Sequence, residues 1–227
     1  MLFGRVLLKS LIVAGLVVSG SMSITPAKAA SDVEDCLGRS PALERIGACT
    51  RAIEAGLSGR QLVDAHTARG VTYGQLGQLD NAITDLTTAL DNEKGDVNIW
   101  VARARALFNK RDYDKAMLDL AEAIKLDPKS SIPINLMGKN HFMLANYDIA
   151  LKFFGEAIEL DPNHYNAFVN RATTYYRTNQ LPEAMKDVNA AYLMLPPGDS
   201  RRRALVQLKV AIERAFASQQ SAAPASN

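Results

Sequence analysis

The stretch YDKAMLDLAEAIKL (Tyr113–Leu126) returns 34 residues later as YDIALKFFGEAIEL (Tyr147–Leu160). The alanines keep their places: Ala116 and Ala123 become Ala150 and Ala157. The same step reaches Ala82 and Ala89 upstream, and Ala184 and Ala191 downstream. Two all-alanine columns at one fixed period mean a repeated structural unit, and the period identifies its kind.

Further columns keep the period. A small residue recurs at Gly70, Ala104, Gly138 and Ala172, and a large one at Tyr73, Leu107, His141 and Tyr175. A bulky apolar residue fills Leu86, Leu120, Phe154 and Val188, and a bulky residue opens each unit at His66, Trp100, Ile134 and Phe168. Proline closes three units, at Pro128, Pro162 and Pro196, with Lys94 as the exception. This order of bulky, small, tyrosine, alanine, aromatic, alanine and proline resembles the tetratricopeptide repeat, an antiparallel helix pair per 34 residues. The resemblance covers about 63–198 and implies an all-α, right-handed α-solenoid of stacked helix pairs.

Each column has a physical reason. The small residue of a first helix faces the alanines of the second, so the two backbones approach closely. The bulky columns fill the gap between one pair and the next. One pair cannot bury its apolar face alone, so neighbours must stack. Proline fixes φ and lacks an N–H, which suits the turn leaving each second helix.

The chain begins with a different grammar. Arg5 and Lys9 make a basic start, an apolar run follows from Ser10 to Gly20, and Ala27-Lys28-Ala29 offers small residues at a cleavage site. This reads as a secretory leader over 1–29, removed before Ala30. The run is short for a membrane span, so no stable membrane insertion is expected after cleavage. Of the 26 Lys+Arg, Arg5, Lys9 and Lys28 lie in the leader, and none of the 24 Asp+Glu does. Cleavage therefore turns a net +2 into −1. A near-neutral product argues against nucleic acid as a partner, which calls for a basic field.

Only Cys36 and Cys49 occur. An even count in an exported chain points to a disulfide. Counting back from Ala52-Ile53, which resembles Ala123-Ile124, places the two cysteines in facing columns of one helix pair. Residues 30–62 then form a degenerate first repeat clamped by a bridge. A redox pair and free thiols stay open, although the spacing is not the C-x-x-C of oxidoreductases. The cysteine pair ahead of the repeats is similar to that of exported alphaproteobacterial members of the family, and this implies a bacterial source.

Full units follow at 63–96, 97–130, 131–164 and 165–198. Ser58 and Gln61 have the spacing of a capping box for the first of them. Leu205, Leu208, Ile212 and Phe216 share a face of a last helix, so 199–217 reads as a capping helix. The small, polar 218–227 reads as a disordered tail. No phosphate loop, nucleophile elbow or metal-spaced His/Cys cluster is present, so no catalytic residue, metal or cofactor is expected. His66 and His141 fall in core columns. Asp112, Asp114 and Asp119 read as turn and surface acids.

The resemblance implies that first helices line a concave groove holding an extended or helical peptide. The columns that face it contain Arg105, Phe108, Asn135, Lys139, Phe142, Tyr176 and Arg177, with Asn170 nearby. Two adjacent cations beside an aromatic ladder suit an acidic, partly apolar peptide. The same aromatics also suit plain packing between helices. The expectation is a non-catalytic interaction scaffold in the bacterial periplasm, binding another protein or peptide. The alternatives are a thiol or redox factor acting through Cys36/Cys49, and a self-associating structural oligomer. Intact-mass analysis of exported protein should begin at Ala30; retention of Met1 would overturn the leader reading.

Overall fold

The computed structural model describes residues 26–222, and among these it contains eleven α-helices and no strand. They run in antiparallel pairs: α1 (Pro26–Leu37) with α2 (Ala42–Glu54), α3 (Gly59–Gln75) with α4 (Leu79–Asn92), and α5 (Val97–Asn109) with α6 (Tyr113–Leu126). Next come α7 (Ser131–Met143) with α8 (Tyr147–Leu160) and α9 (Tyr165–Arg177) with α10 (Leu181–Leu193), closed by α11 (Arg201–Ala222). Each pair packs on the next, so the chain is an α-solenoid.

The alanine columns explain the pairing. All eight alanines, Ala82 to Ala191, have 0% exposure. Opposite them the small-residue column is glycine where a Cβ has no room. A Cβ on Gly138 would lie 2.7 Å from the Phe154 ring, and one on Gly70 would lie 2.9 Å from Leu86. Where Leu120 and Val188 stand instead, Ala104 and Ala172 fit, both buried. Leucine stands opposite both Gly70 and Ala104, so the room at this column depends on how closely the backbones approach as well as on the facing residue.

Each turn inside a full pair has one residue in the left-handed region: Gly77, Arg111, Ala145 and Asn179, again 34 apart. Glycine suits the first of these and asparagine tolerates the last, but alanine carries a Cβ against the following carbonyl.

An ionic column runs beside the alanines. Arg69 donates two hydrogen bonds to Asp85, both at 2.8 Å. Arg103 does the same to Asp119, both at 2.8 Å, and Arg171 to Asp187 at 2.7 and 2.9 Å. All three aspartates are buried. Asp119 is therefore not a surface acid, as its turn-like neighbours Asp112 and Asp114 imply. The bidentate guanidinium makes its burial tolerable. Arg69 and Arg103 also reach the preceding pair, donating to Thr50 Oγ1 at 2.9 Å and Thr87 Oγ1 at 3.1 Å. His66 Nδ1 sits 2.9 Å from Asp85. In the third unit the same two columns hold Met137 and Phe153, packed together in an apolar cluster, with His141 stacked flat on Phe153.

The ends differ from the middle. Helix α1 begins at Pro26, upstream of the expected cleavage point, and residues 1–25 of the leader lie outside the described residues. Cys36 and Cys49 are bridged between α1 and α2, with Cα atoms 4.6 Å apart. Asp32 accepts two hydrogen bonds from Arg51 across the same pair. Ser58 takes the N-cap position of α3, but its side chain makes no cap hydrogen bond. At the other end Leu205 and Ile212 are buried, with Leu208 and Phe216 packed beside α9 and α10. The capping helix does not stop at 217. It runs on to Ala222, so the first part of the expected disordered tail is helical. Gln219 anchors that last turn by donating to Asn179 Oδ1 at 2.7 Å. Residues 223–227 lie outside the described residues.

Two stability outcomes follow. Arg103→Met strands a buried carboxylate and should cost about 3–5 kcal/mol, whereas Arg103→Met with Asp119→Phe, which copies the third unit, should recover most of it. Urea denaturation of both variants measures this; a double variant no better than the single would show that the two columns are not interchangeable. Ala145→Gly should raise stability by about 1 kcal/mol by releasing the left-handed strain. An unchanged or lowered melting temperature would contradict that account.

Candidate functional site

The inner face is built by first helices, because each second helix commits its small face to the pairing contact. Successive first helices pack at α1–α3, α3–α5 and α7–α9, but α5 and α7 stand farther apart. A cavity of about 690 Å³ opens there. Arg105 and Phe108 of α5, Asn135 and Lys139 of α7 and Asn170 of α9 all line it. Helix periodicity accounts for this set, since residues three or four apart share a face.

Its electrostatics are unbalanced. Arg69, Arg103 and Arg171 each have an aspartate, but Arg105 and Lys139 pair with no carboxylate among the described residues. Arg105 is exposed. Lys139 is not simply solvent-facing, as its column implies. It is half-buried, with Nζ 4.5 Å from the centre of the Phe108 ring. Burial lowers its pKa from the usual lysine value, and the charge of Arg105 lowers it further. Asn170 Nδ2 donates to Asn135 Oδ1 at 2.9 Å, which ties α9 to α7 across the cavity wall. An anion seated here would find two cations and the free halves of two amides.

Three of the expected groove residues lie elsewhere. Phe142 packs on Tyr147 at 5.5 Å and is not among the lining residues. The Phe108–Tyr113 pair has the same geometry, also at 5.5 Å, so this aromatic column first serves its own helix pair. Phe108 also lines the cavity, with Lys139 lying over its ring. Tyr176 is packed in the cluster that the capping helix covers, and Arg177 is exposed outside the cavity.

The structure adds residues that the columns did not mark. Asn140 is buried at 1% exposure, and its Nδ2 donates to Leu136 O at 2.8 Å. Its Oδ1 has no partner, and neither does the buried Nε2 of His164; both residues line the cavity. Asparagine at 140 stands where Thr72, Ala106 and Thr174 stand in the other units, and that departure is a readable signal. Arg201 and Tyr165 also line the cavity, stacked with the guanidinium 4.9 Å from the ring centre. Arg201 is already answered by Asp199, whose pKa falls to about 2 through that hydrogen bond. A second cavity of about 510 Å³ lies between α3 and α5, lined by Val71, Val101 and Ala106, and it shares Arg105 with the first.

Tetratricopeptide-repeat family models match residues 67–131 and 153–186. Protein PHOX3 of Arabidopsis thaliana is 28% identical over 113 residues, a match covering 47% of this chain and 14% of that protein. The chain thus spans a small fraction of that relative. Among solved structures, MamA from Desulfovibrio magneticus RS-1 superposes with a TM-score of 0.66 at 14% identity, covering 78% of this chain and all of that one. The first tetratricopeptide-repeat domain of Spaghetti, bound to the HSP90 peptide SRMEEVD, superposes with a TM-score of 0.50 at 23% identity. That match covers 52% of this chain and 94% of that one. With the matched repeats lying on the frame set by the buried alanines, the chain is a tetratricopeptide-repeat protein.

Proposed function

We propose that this chain is a non-catalytic interaction scaffold that holds a segment of another protein on its inner face. The observation that carries the reading is the Arg105–Lys139 pair. Two cations share one cavity, and the carboxylate that also lines it, Asp161, is paired with neither, on a protein that elsewhere answers its buried arginines with aspartate. Keeping like charges together in a half-buried site is costly unless a partner supplies the opposite charge. An acidic segment with apolar side chains meets both the cations and the Phe108 ring. The Spaghetti domain is a neighbour in fold, and the peptide named with it, SRMEEVD, is of that acidic, partly apolar kind.

The leader over 1–29 and the cysteine pair support export to a bacterial periplasm as the working compartment. Within that reading the bridge is structural. Cys36 and Cys49 are buried at 1% and 0% exposure, so no attacking thiolate reaches the sulfurs without opening the first pair. This favours the scaffold over a thiol exchange factor.

Arg105→Glu with Lys139→Glu should abolish capture of the natural partner from a periplasmic extract and leave the helical circular-dichroism signal intact. Each single variant should weaken binding at least tenfold, the cost of one charge-assisted contact being about 1.5–3 kcal/mol. Wild-type capture by the folded double variant would show that the inner face is not the binding surface.

A further inference from the structure

The column that gives Phe108, Phe142 and Tyr176 to the later units holds Gly74 in the first full one. Its packing partner changes with it. Phe108 and Phe142 each lean on a tyrosine of their own pair, Tyr113 or Tyr147, and the residue 34 before Tyr113 is Leu79. The first copy therefore lacks a ring that the next two units keep.

Packing does not require this glycine. A Cβ on Gly70 or Gly138 would come within 2.9 or 2.7 Å of a neighbour, but one on Gly74 would lie 3.8 Å from Ala82 Cβ, an ordinary contact. Conformation does not require it either, since Gly74 lies inside α3 and outside the left-handed region. Glycine within a helix is destabilising relative to alanine, so the position carries a cost with no local return.

What the absent ring leaves is the cavity of about 510 Å³ between α3 and α5, which Gly74 lines. Its walls are largely aliphatic, and two of them, Val71 and Ile132, stay 36% and 46% exposed. Among the described residues that line it, Arg105 is the one that carries a charge. Arg105, Asn109 and Ile132 also line the cavity that holds Lys139, so an apolar chamber and a cationic one share a wall.

We propose that the cavity between α3 and α5 receives a large apolar side chain, of phenylalanine size, from the same segment whose acidic residue meets Arg105 and Lys139. The partner supplies the ring that Gly74 omits. This rests on the peptide-binding reading above and adds a second subsite with its own chemistry. Removal of aliphatic surface from water on both sides drives the seating. The exposed amides of Gln75 and Asn109 at the same cavity can donate to and accept from a peptide main chain, which an alkyl carboxylate lacks.

Fluorescence anisotropy of dye-labelled, end-blocked peptides with the full chain tests it. Each peptide carries two adjacent glutamates in a glycine–serine background. A phenylalanine is placed in turn at every position on either side of them, and one peptide has none. The best-placed phenylalanine should tighten binding at least tenfold over the peptide without one. Gly74→Phe, which restores the column, should erase that gain, keep the helical circular-dichroism signal and leave glutamate-dependent binding in place. Val71→Asn, on the exposed wall, should reduce the gain. No gain at any position, or a gain that survives Gly74→Phe, overturns the inference. Displacement of the peptide by decanoate at the peptide's own dissociation constant also overturns it, because the chamber would then suit a small amphiphile. In either case, loss of binding in Arg105→Glu leaves the peptide reading standing. Binding that ignores Arg105→Glu, or no binding by any peptide, overturns both.

Discussion

Close approach of two helix backbones is the constraint on which the rest of this molecule depends. Alanine at two columns of the second helix in each full unit lets those pairs close to contact, and all eight alanines have no exposure. Everything wider is placed around that contact. The bulky column is pushed to the seam between pairs, and the opposing column is glycine where a Cβ would lie 2.7 Å from Phe154 or 2.9 Å from Leu86. With one face of each second helix consumed, only first helices are left to form an inner surface.

The ionic column is a second fastening of the same pairs, and its interruption coincides with the site. Arginine and aspartate clasp the other full units, but Met137 and Phe153 take their place in the unit that carries Lys139 and Asn140. Fixed charge is thus withheld from the core beneath the cavity. Arg105 and Lys139, which line it, form no ion pair with an aspartate among the described residues, Asp161 of the same cavity included.

The architecture was largely legible in the sequence, because it follows from backbone proximity, and proximity shows as residue size. Alanine, glycine and proline at fixed places state the packing directly. The disulfide was legible through the same frame, since Cys36 and Cys49 fall in facing columns. The ionic column was present in the text as Arg69, Arg103 and Arg171 with Asp85, Asp119 and Asp187, but burial of a charge cannot be seen until both partners are placed. The site was legible in half. Columns identify which residues face inward, yet Phe142 and Tyr176 obey the column and still turn to Tyr147 and the capping helix. What selects among them is the neighbour each ring meets, which a period does not carry. The helical turn beyond 217 was missed for a similar reason, because its anchor, Asn179, lies 40 residues away.

The two ends of the solenoid are fastened by different means, and this gives the molecule a direction. The first pair is locked covalently by the Cys36–Cys49 bridge, while the last is covered by a single helix held by packing and by side-chain hydrogen bonds from Arg202 and Gln219. In a linear stack each unit is protected by its neighbour, so loss of structure spreads from whichever end opens first. Here that end is the carboxyl one. Fraying, proteolytic nibbling and mechanical peeling should all travel toward the bridge, so the third unit, with its cavity, is exposed before the first two. A bound segment lying across the second and third units would stand in the path of that unravelling and act as a clamp against it.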